Sequence, residues 1–147
     1  MTLPDDQQTI CAVATPPGAA GIAIIRVSGP DARPVTARLV PALSRSAPPR
    51  RLRLCRVLRP DDQQLLDQAL VVYLPGPRSY TGQDVVELQL HGGPAVVRSV
   101  LSALQAAGAR LAAPGEFTLR AFLNDRLDLS AAEAVAALVE ARSDQAR

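Results

Sequence analysis

From Asp84 to Leu90 apolar and polar positions alternate: Val86, Leu88 and Leu90 fall on one face of an extended segment, Val85, Glu87 and Gln89 on the other. This predicts a strand over 84–90 with a carboxylate, Glu87, in its middle. Before it, Pro75, Gly76, Pro77 and Gly82 forbid regular structure. After it, Gly92-Gly93-Pro94 places proline where a helix begins. The period then changes, because Val96, Val97, Val100, Leu101 and Leu104 recur at helical spacing. They predict a helix over 94–107, capped by Gly108.

Read the same way, the rest of the chain yields mixed elements. Thr9–Ala14 is a short strand. Gly21–Ser28 is apolar on both sides, as expected of a central strand covered on both faces, which makes its single charge, Arg26, conspicuous. After the turn Gly29-Pro30-Asp31, a helix is predicted over 32–43, with Val35, Leu39 and Val40 on one side and Pro34 in its first turn. Residues 1–8 read as polar and loose, and 44–49 as a Ser/Pro/Ala linker. Strands over 51–58 and 66–74 flank the turn at Arg59–Gln63 and predict a β-hairpin. Towards the end come a short strand over 110–113, a short helix through Phe122 and a polar loop over 124–129. Ser130-x-x-Glu133 reads as a capping box heading an Ala-rich helix whose Val135, Leu138 and Val139 are apolar. The fold class is therefore α+β: a mixed sheet with a hairpin and two packing helices. The helical pattern runs on to Arg147, as expected of a piece of a longer chain.

Composition narrows the function. A chain of 147 residues, 48% hydrophobic and 20% charged, carries a soluble core, and with 3% aromatics that core is built from Val, Leu, Ile and Ala. Every basic residue is Arg, a bias best explained by codon usage. A net charge of +2 is too small for non-specific nucleic-acid binding. The densest basic run, Arg50 to Arg59, alternates with Leu and Val and reads as a half-solvated strand. Cys11, Cys55 and His91 cannot complete a zinc site. No signal peptide is present and no apolar run reaches membrane-spanning length, so a reducing cytoplasm without a membrane partner is expected.

Without lysine there is no phosphate-binding P-loop, and neither a dinucleotide fingerprint nor a nucleophile elbow occurs. Gly92-Gly93-Pro94 is weak grounds for an anion site, since a tight strand-to-helix turn needs glycine anyway. His91 reads as a loop histidine bonded to backbone rather than a general base. Arg26 and Glu87 are the suspicious pair, because charges inside apolar strands are rarely buried without a partner. Either they pair with each other or lie at a wet edge, or they line a polar ligand cleft in which Glu87 accepts two N–H bonds from a heterocycle. The residues alone leave both readings open.

Three blocks are more particular. They are Ala14-Thr15-Pro16-Pro17-Gly18 with Gly21–Gly29, then Pro75–Gly93, then Ala113–Leu129. In order and spacing they resemble the N-terminal region of the tRNA-modification GTPases of the MnmE (TrmE) family, over about residues 9–147. The resemblance implies a folate-binding-domain-like fold, as in aminomethyltransferases, over 1–122, with 123–147 starting a helical domain. It implies binding of 5-formyltetrahydrofolate or a related one-carbon donor, and a homodimer. In the full-length family, an FAD-dependent partner of the MnmG (GidA) type and tRNA complete the system, which modifies C5 of the wobble uridine. GTP, Mg2+ and K+ belong there to a GTPase domain absent from this sequence, as is the C-terminal cysteine motif.

Carried over by position, the implied folate contacts are Arg26, Glu87 and Arg126; no catalytic residue and no metal ligand is expected. This sequence departs from the family's pattern at Arg126, where Lys is common, at Ala19-Ala20, and at Leu90 before the histidine. An alternative keeps the resemblance but not the ligand: a dimerisation or partner- and tRNA-docking module that binds no folate.

Overall fold

A computed structural model describes residues 7–44 and 47–145. Residues 1–6 of the N-terminal stretch, 45 and 46 of the linker, the side chain of Val139 and Arg147 lie outside the described residues. The elements are β1 (Ile10–Val13), β2 (Ile22–Ser28), α1 (Ala32–Ala37), β3 (Arg53–Leu58), β4 (Leu65–Leu74), β5 (Val85–His91), α2 (Pro94–Ala106), β6 (Arg110–Leu111), α3 (Glu116–Leu123) and α4 (Leu129–Gln145).

The six strands form one open sheet in the order β3-β4-β5-β2-β1-β6. Its ladders are antiparallel except β1 with β6, which is parallel, so the sheet is mixed and the fold is α+β. The predicted hairpin is β3–β4, its turn closed by Arg59 N–H donating to the Gln64 carbonyl at 2.9 Å.

One face of the sheet carries the core. Ile25 and Val27 of β2 and Val86, Leu88 and Leu90 of β5 bury there with Leu39, Val40, Val100 and Leu104. Each such side chain contributes about 1.5–3 kcal/mol by leaving water. Both α1 and α2 pack on this face, against β2 and β5, whereas α3 packs on α4. The expectation that β2 is covered on both faces is therefore corrected. The strand is central, but Ile22 is 59% exposed and Ile24 and Arg26 are only half-buried. Among the described residues no helix layer covers the second face, and a charge can stand on it.

Two helix boundaries also differ from expectation. α1 stops at Ala37 rather than Leu43, continuing as turns in which the Leu39 and Val40 N–H groups both donate to the Thr36 carbonyl. Pro41 explains the stop, since it lacks an N–H and drives the residue before it out of the helical region. Leu39 and Val40 stay buried all the same. α4 begins at Leu129, and its cap is Asp128, whose Oδ1 accepts the Ala131 N–H at 2.7 Å. Ser130 lies inside the first turn, so the predicted capping box does not form.

Candidate functional site

The open face of the sheet holds the two suspicious charges side by side. Antiparallel register places Arg26 of β2 directly opposite Glu87 of β5, with Ala12 beyond Arg26 and Val72 beyond Glu87. Directly opposed side chains are the closest pairs a sheet offers. Arg26 Nε donates to Glu87 Oε1 at 2.8 Å, and the two side chains remain 37% and 19% exposed. Among the described residues only Oε1 of the carboxylate is engaged. The pairing left open by the sequence thus forms, on a surface that a ligand can still reach.

A rim to this surface comes from the loop between β4 and β5. Tyr80 brings its ring under the Arg26 guanidinium, 5.8 Å from centroid to carbon, and its hydroxyl lies 2.9 Å from Thr118 Oγ1 of α3. The loop is anchored from several directions. Thr81 Oγ1 meets Ser28 Oγ at 2.8 Å in a buried contact, and Arg50 donates to the Pro75 and Arg78 carbonyls. Asn124 Nδ2 donates to the Thr81 carbonyl at 2.9 Å. Ser79 Oγ bonds the Gln83 carbonyl across the turn.

Arg126 joins here. Its Nε donates to the Ser79 carbonyl at 3.0 Å, and its stem passes Gly82, where a Cβ would meet Arg126 Cγ at 3.4 Å and Asn124 Cβ at 2.7 Å. With φ at +82°, Gly82 suits both the turn and the crowding. Arg26 and Glu87 therefore touch each other, and Arg126 reaches the same loop that brings Tyr80 to Arg26.

Sequence reasoning singled out neither Tyr80 nor the ion network beneath the loop. Glu116 and Arg120 are both about 1% exposed at the side chain. Arg110 grips Glu116 with two parallel bonds, at 3.0 and 2.7 Å, while Arg120 NH2 reaches the same carboxylate at 3.1 Å. Arg120 NH1 donates to Gln83 Oε1 at 2.9 Å, tying α3 to the loop. Burial alone would raise the Glu116 pKa. The Arg110 hydrogen bonds, the Ala113 N–H and both arginine charges outweigh it and hold the carboxyl below the usual carboxylate range. The i, i+4 spacing of Glu116 and Arg120 is visible in sequence, but most such pairs sit in solvent.

Other candidates resolve into support. His91 ends β5 rather than standing in a loop, and its partner is a side chain: Nδ1 lies 2.8 Å from Asp67 Oδ1, and its backbone N–H donates to Asp67 Oδ2. The expectation of a backbone-bonded loop histidine is corrected, because register brings β4 within reach of it. Gly92 is demanded by packing, since a Cβ there would lie 2.0 Å from the Ala20 carbonyl oxygen. Burial pushes the Cys11 thiol up to about 11 and raises that of Cys55, so neither is a ready nucleophile. Among the described residues no cluster of three or more His, Cys, Asp or Glu stands ready for a metal, and no helix is long and apolar enough to cross a membrane.

Comparison with known proteins shows the family. A family model described as "GTP-binding protein TrmE N-terminus" matches residues 9–126. The tRNA modification GTPase MnmE of Halorhodospira halophila is 56% identical over 145 residues, covering 97% of this chain and 30% of that protein. The MnmE proteins of Nitrosococcus oceani and Nitrosospira multiformis are 49% and 48% identical, over 94% and 93% of this chain and 29% of each relative. The chain thus spans about 30% of the length of these relatives. With the family model matching from β1 to Arg126, and so across the three candidate site residues, the chain belongs to the TrmE N-terminal family.

Proposed function

We propose that this chain is the folate-binding and dimerising module of a tRNA-modifying GTPase. In this reading the open sheet face around Arg26 and Glu87 takes a reduced folate of the 5-formyltetrahydrofolate type. The observation that carries it is the half-exposed Arg26–Glu87 pair, with Tyr80 at its side, on a sheet face that no helix layer covers among the described residues.

The donor set fits such a ligand. A pterin presents ring N–H and amino donors side by side, and a carboxylate accepts through both of its oxygens. Glu87 Oε1 can keep its bond to Arg26 while accepting another, because each oxygen has two lone pairs. The Tyr80 ring offers a flat apolar wall. Arg126 at the rim suits the ligand's polar end. Bound, the folate would supply a one-carbon unit; the residues here would hold and orient it, and no catalytic side chain is assigned to them. Calorimetric titration of the chain with 5-formyltetrahydrofolate tests the reading, and absence of heat in the wild type would overturn it.

Dimerisation is proposed on a separate observation. Ile22, Leu54 and Leu70 are 59%, 69% and 40% exposed, and Leu54 lies opposite Leu70 in the β3–β4 register. Exposed leucines clustered on a hairpin suit a second copy of the same surface. The name of the relatives, tRNA modification GTPase, supports a role within such an enzyme. There GTP, Mg2+, K+ and an FAD-dependent partner would be handled by sequence outside these residues, in the cytoplasm, with tRNA as the molecule modified. A module that dimerises without folate is the second reading, and sedimentation with and without the ligand separates the two.

A further inference from the structure

Away from the Arg26–Glu87 face, on the side of the helix layer, a cleft of about 560 Å³ opens between the end of α1, the β3–β4 turn and α2. Three guanidiniums from these three places line it: Arg38 after α1, Arg59 at the turn and Arg98 on α2. Ser99 and Ser102 add two hydroxyls from α2, and Asp61 is the acidic residue of the lining. Arg98 and Ser102 are four residues apart, so α2 presents both to the same side. Arg59 is held by Asp62 Oδ2 at 3.2 Å and Gln64 Oε1 at 2.6 Å. Arg38 and Arg98 are exposed, and their guanidiniums make no hydrogen bond or ion pair with any described residue.

We propose that this cleft is a second binding surface, one that takes backbone phosphates of a folded RNA. Guanidiniums converging from separate elements on a cavity with hydroxyl donors match phosphate oxygens, which accept planar, paired N–H bonds. The cavity has room for more than one phosphate. None of its lining residues is aromatic, so it has no platform for stacked bases and would bind by backbone contact. The net charge of +2 excludes a general polyanion surface, which makes a local cluster the relevant feature. The choice of RNA over another phosphate source rests on the proposed role in tRNA modification; the cleft itself does not.

The test compares two double variants of the same charge change. Binding of an unmodified tRNA transcript to the chain is measured between about 50 and about 200 mM salt for wild type, Arg38→Ala/Arg98→Ala and Arg51→Ala/Arg56→Ala. Arg51 and Arg56 are exposed and lie outside the cleft. The cleft variant is expected to lose roughly two units of salt slope, about one per guanidinium, with the control near wild type. Equal losses in both variants, or no measurable RNA binding by the wild type, would overturn the proposal. So would tighter binding of inorganic pyrophosphate than of the transcript, since the site would then serve small phosphates. Glu87→Ala is expected to keep wild-type RNA binding, so loss of the folate site and loss of this one are read independently.

Discussion

Arg26 and Glu87 are direct cross-strand partners in the β2–β5 ladder, joined by one hydrogen bond of 2.8 Å that leaves the second carboxylate oxygen to the open face. Such a half-exposed pair adds only about 0–1 kcal/mol to stability, so its removal should barely move the unfolding midpoint. Contacts to the proposed folate would be worth more, at about 1.5–3 kcal/mol for each hydrogen bond to a charged group. Glu87→Ala is therefore expected to weaken 5-formyltetrahydrofolate binding roughly ten- to a hundredfold at nearly unchanged stability. Calorimetry alongside thermal unfolding checks both halves. Unchanged affinity would remove Glu87 from the site.

Arg126 makes a different prediction. The loop uses its Nε alone, toward the Ser79 carbonyl. An ammonium can supply that single donor and keep the charge, although it lacks the planar fork. Arg126→Lys is expected to stay within about threefold of wild-type folate affinity, while Arg126→Ala falls about tenfold. If lysine proves as damaging as alanine, the fork rather than the charge is what the site requires.

The dimer prediction uses the β3–β4 hairpin. Leu54 is 69% exposed, so Leu54→Asp should alter folding stability by no more than about 0.5 kcal/mol. Buried between two copies, the same carboxylate would be desolvated without a partner. Sedimentation velocity is expected to show a wild-type dimer and a Leu54→Asp monomer. A monomeric wild type at high micromolar concentration would end this reading.

How much of this was legible beforehand depends on how local the cause is. Period-two alternation placed Val86, Leu88 and Leu90 on the buried face, and hydrophobic spacing found α2 to within a residue. Both are consequences of backbone geometry acting over a few residues. The covering of β2 is not legible, because an apolar run cannot tell a helix layer from an open face. The α1 boundary is legible in Pro41, whereas the apolar spacing of Leu39 and Val40 points past it. For the site, the charges inside strands were visible at Arg26 and Glu87, but their register was not. Tyr80 gives no local sign and the i, i+4 spacing of Glu116 and Arg120 does not tell their burial, because their partners Thr118, Arg110 and Gln83 come from other elements.

Glu116 carries the sharpest prediction for stability. Its carboxylate is shared by Arg110 and Arg120, and Arg120 is as deeply buried as the acid itself. Removing the acid's charge leaves Arg120 with a weaker partner inside the protein, and breaking a buried pair in this way costs about 3–5 kcal/mol. Glu116→Gln, close in shape, should therefore be strongly destabilised at pH 7. The double variant Glu116→Gln/Arg120→Met should recover part of the loss, since no charge is then stranded. The pH dependence follows from the direction of the shift. The folded-state pKa lies below the unfolded one, so the stabilisation is fully present above the unfolded carboxyl's range. It is lost as pH falls through that range toward the lower folded value, because the unfolded chain takes up the proton first. Urea midpoints at pH 7 and at about pH 3.5 should thus show the gap between wild type and Glu116→Gln narrowing in acid. A gap that stays constant with pH would mean that shape and packing, not the charge on Glu116, hold α3 against the loop.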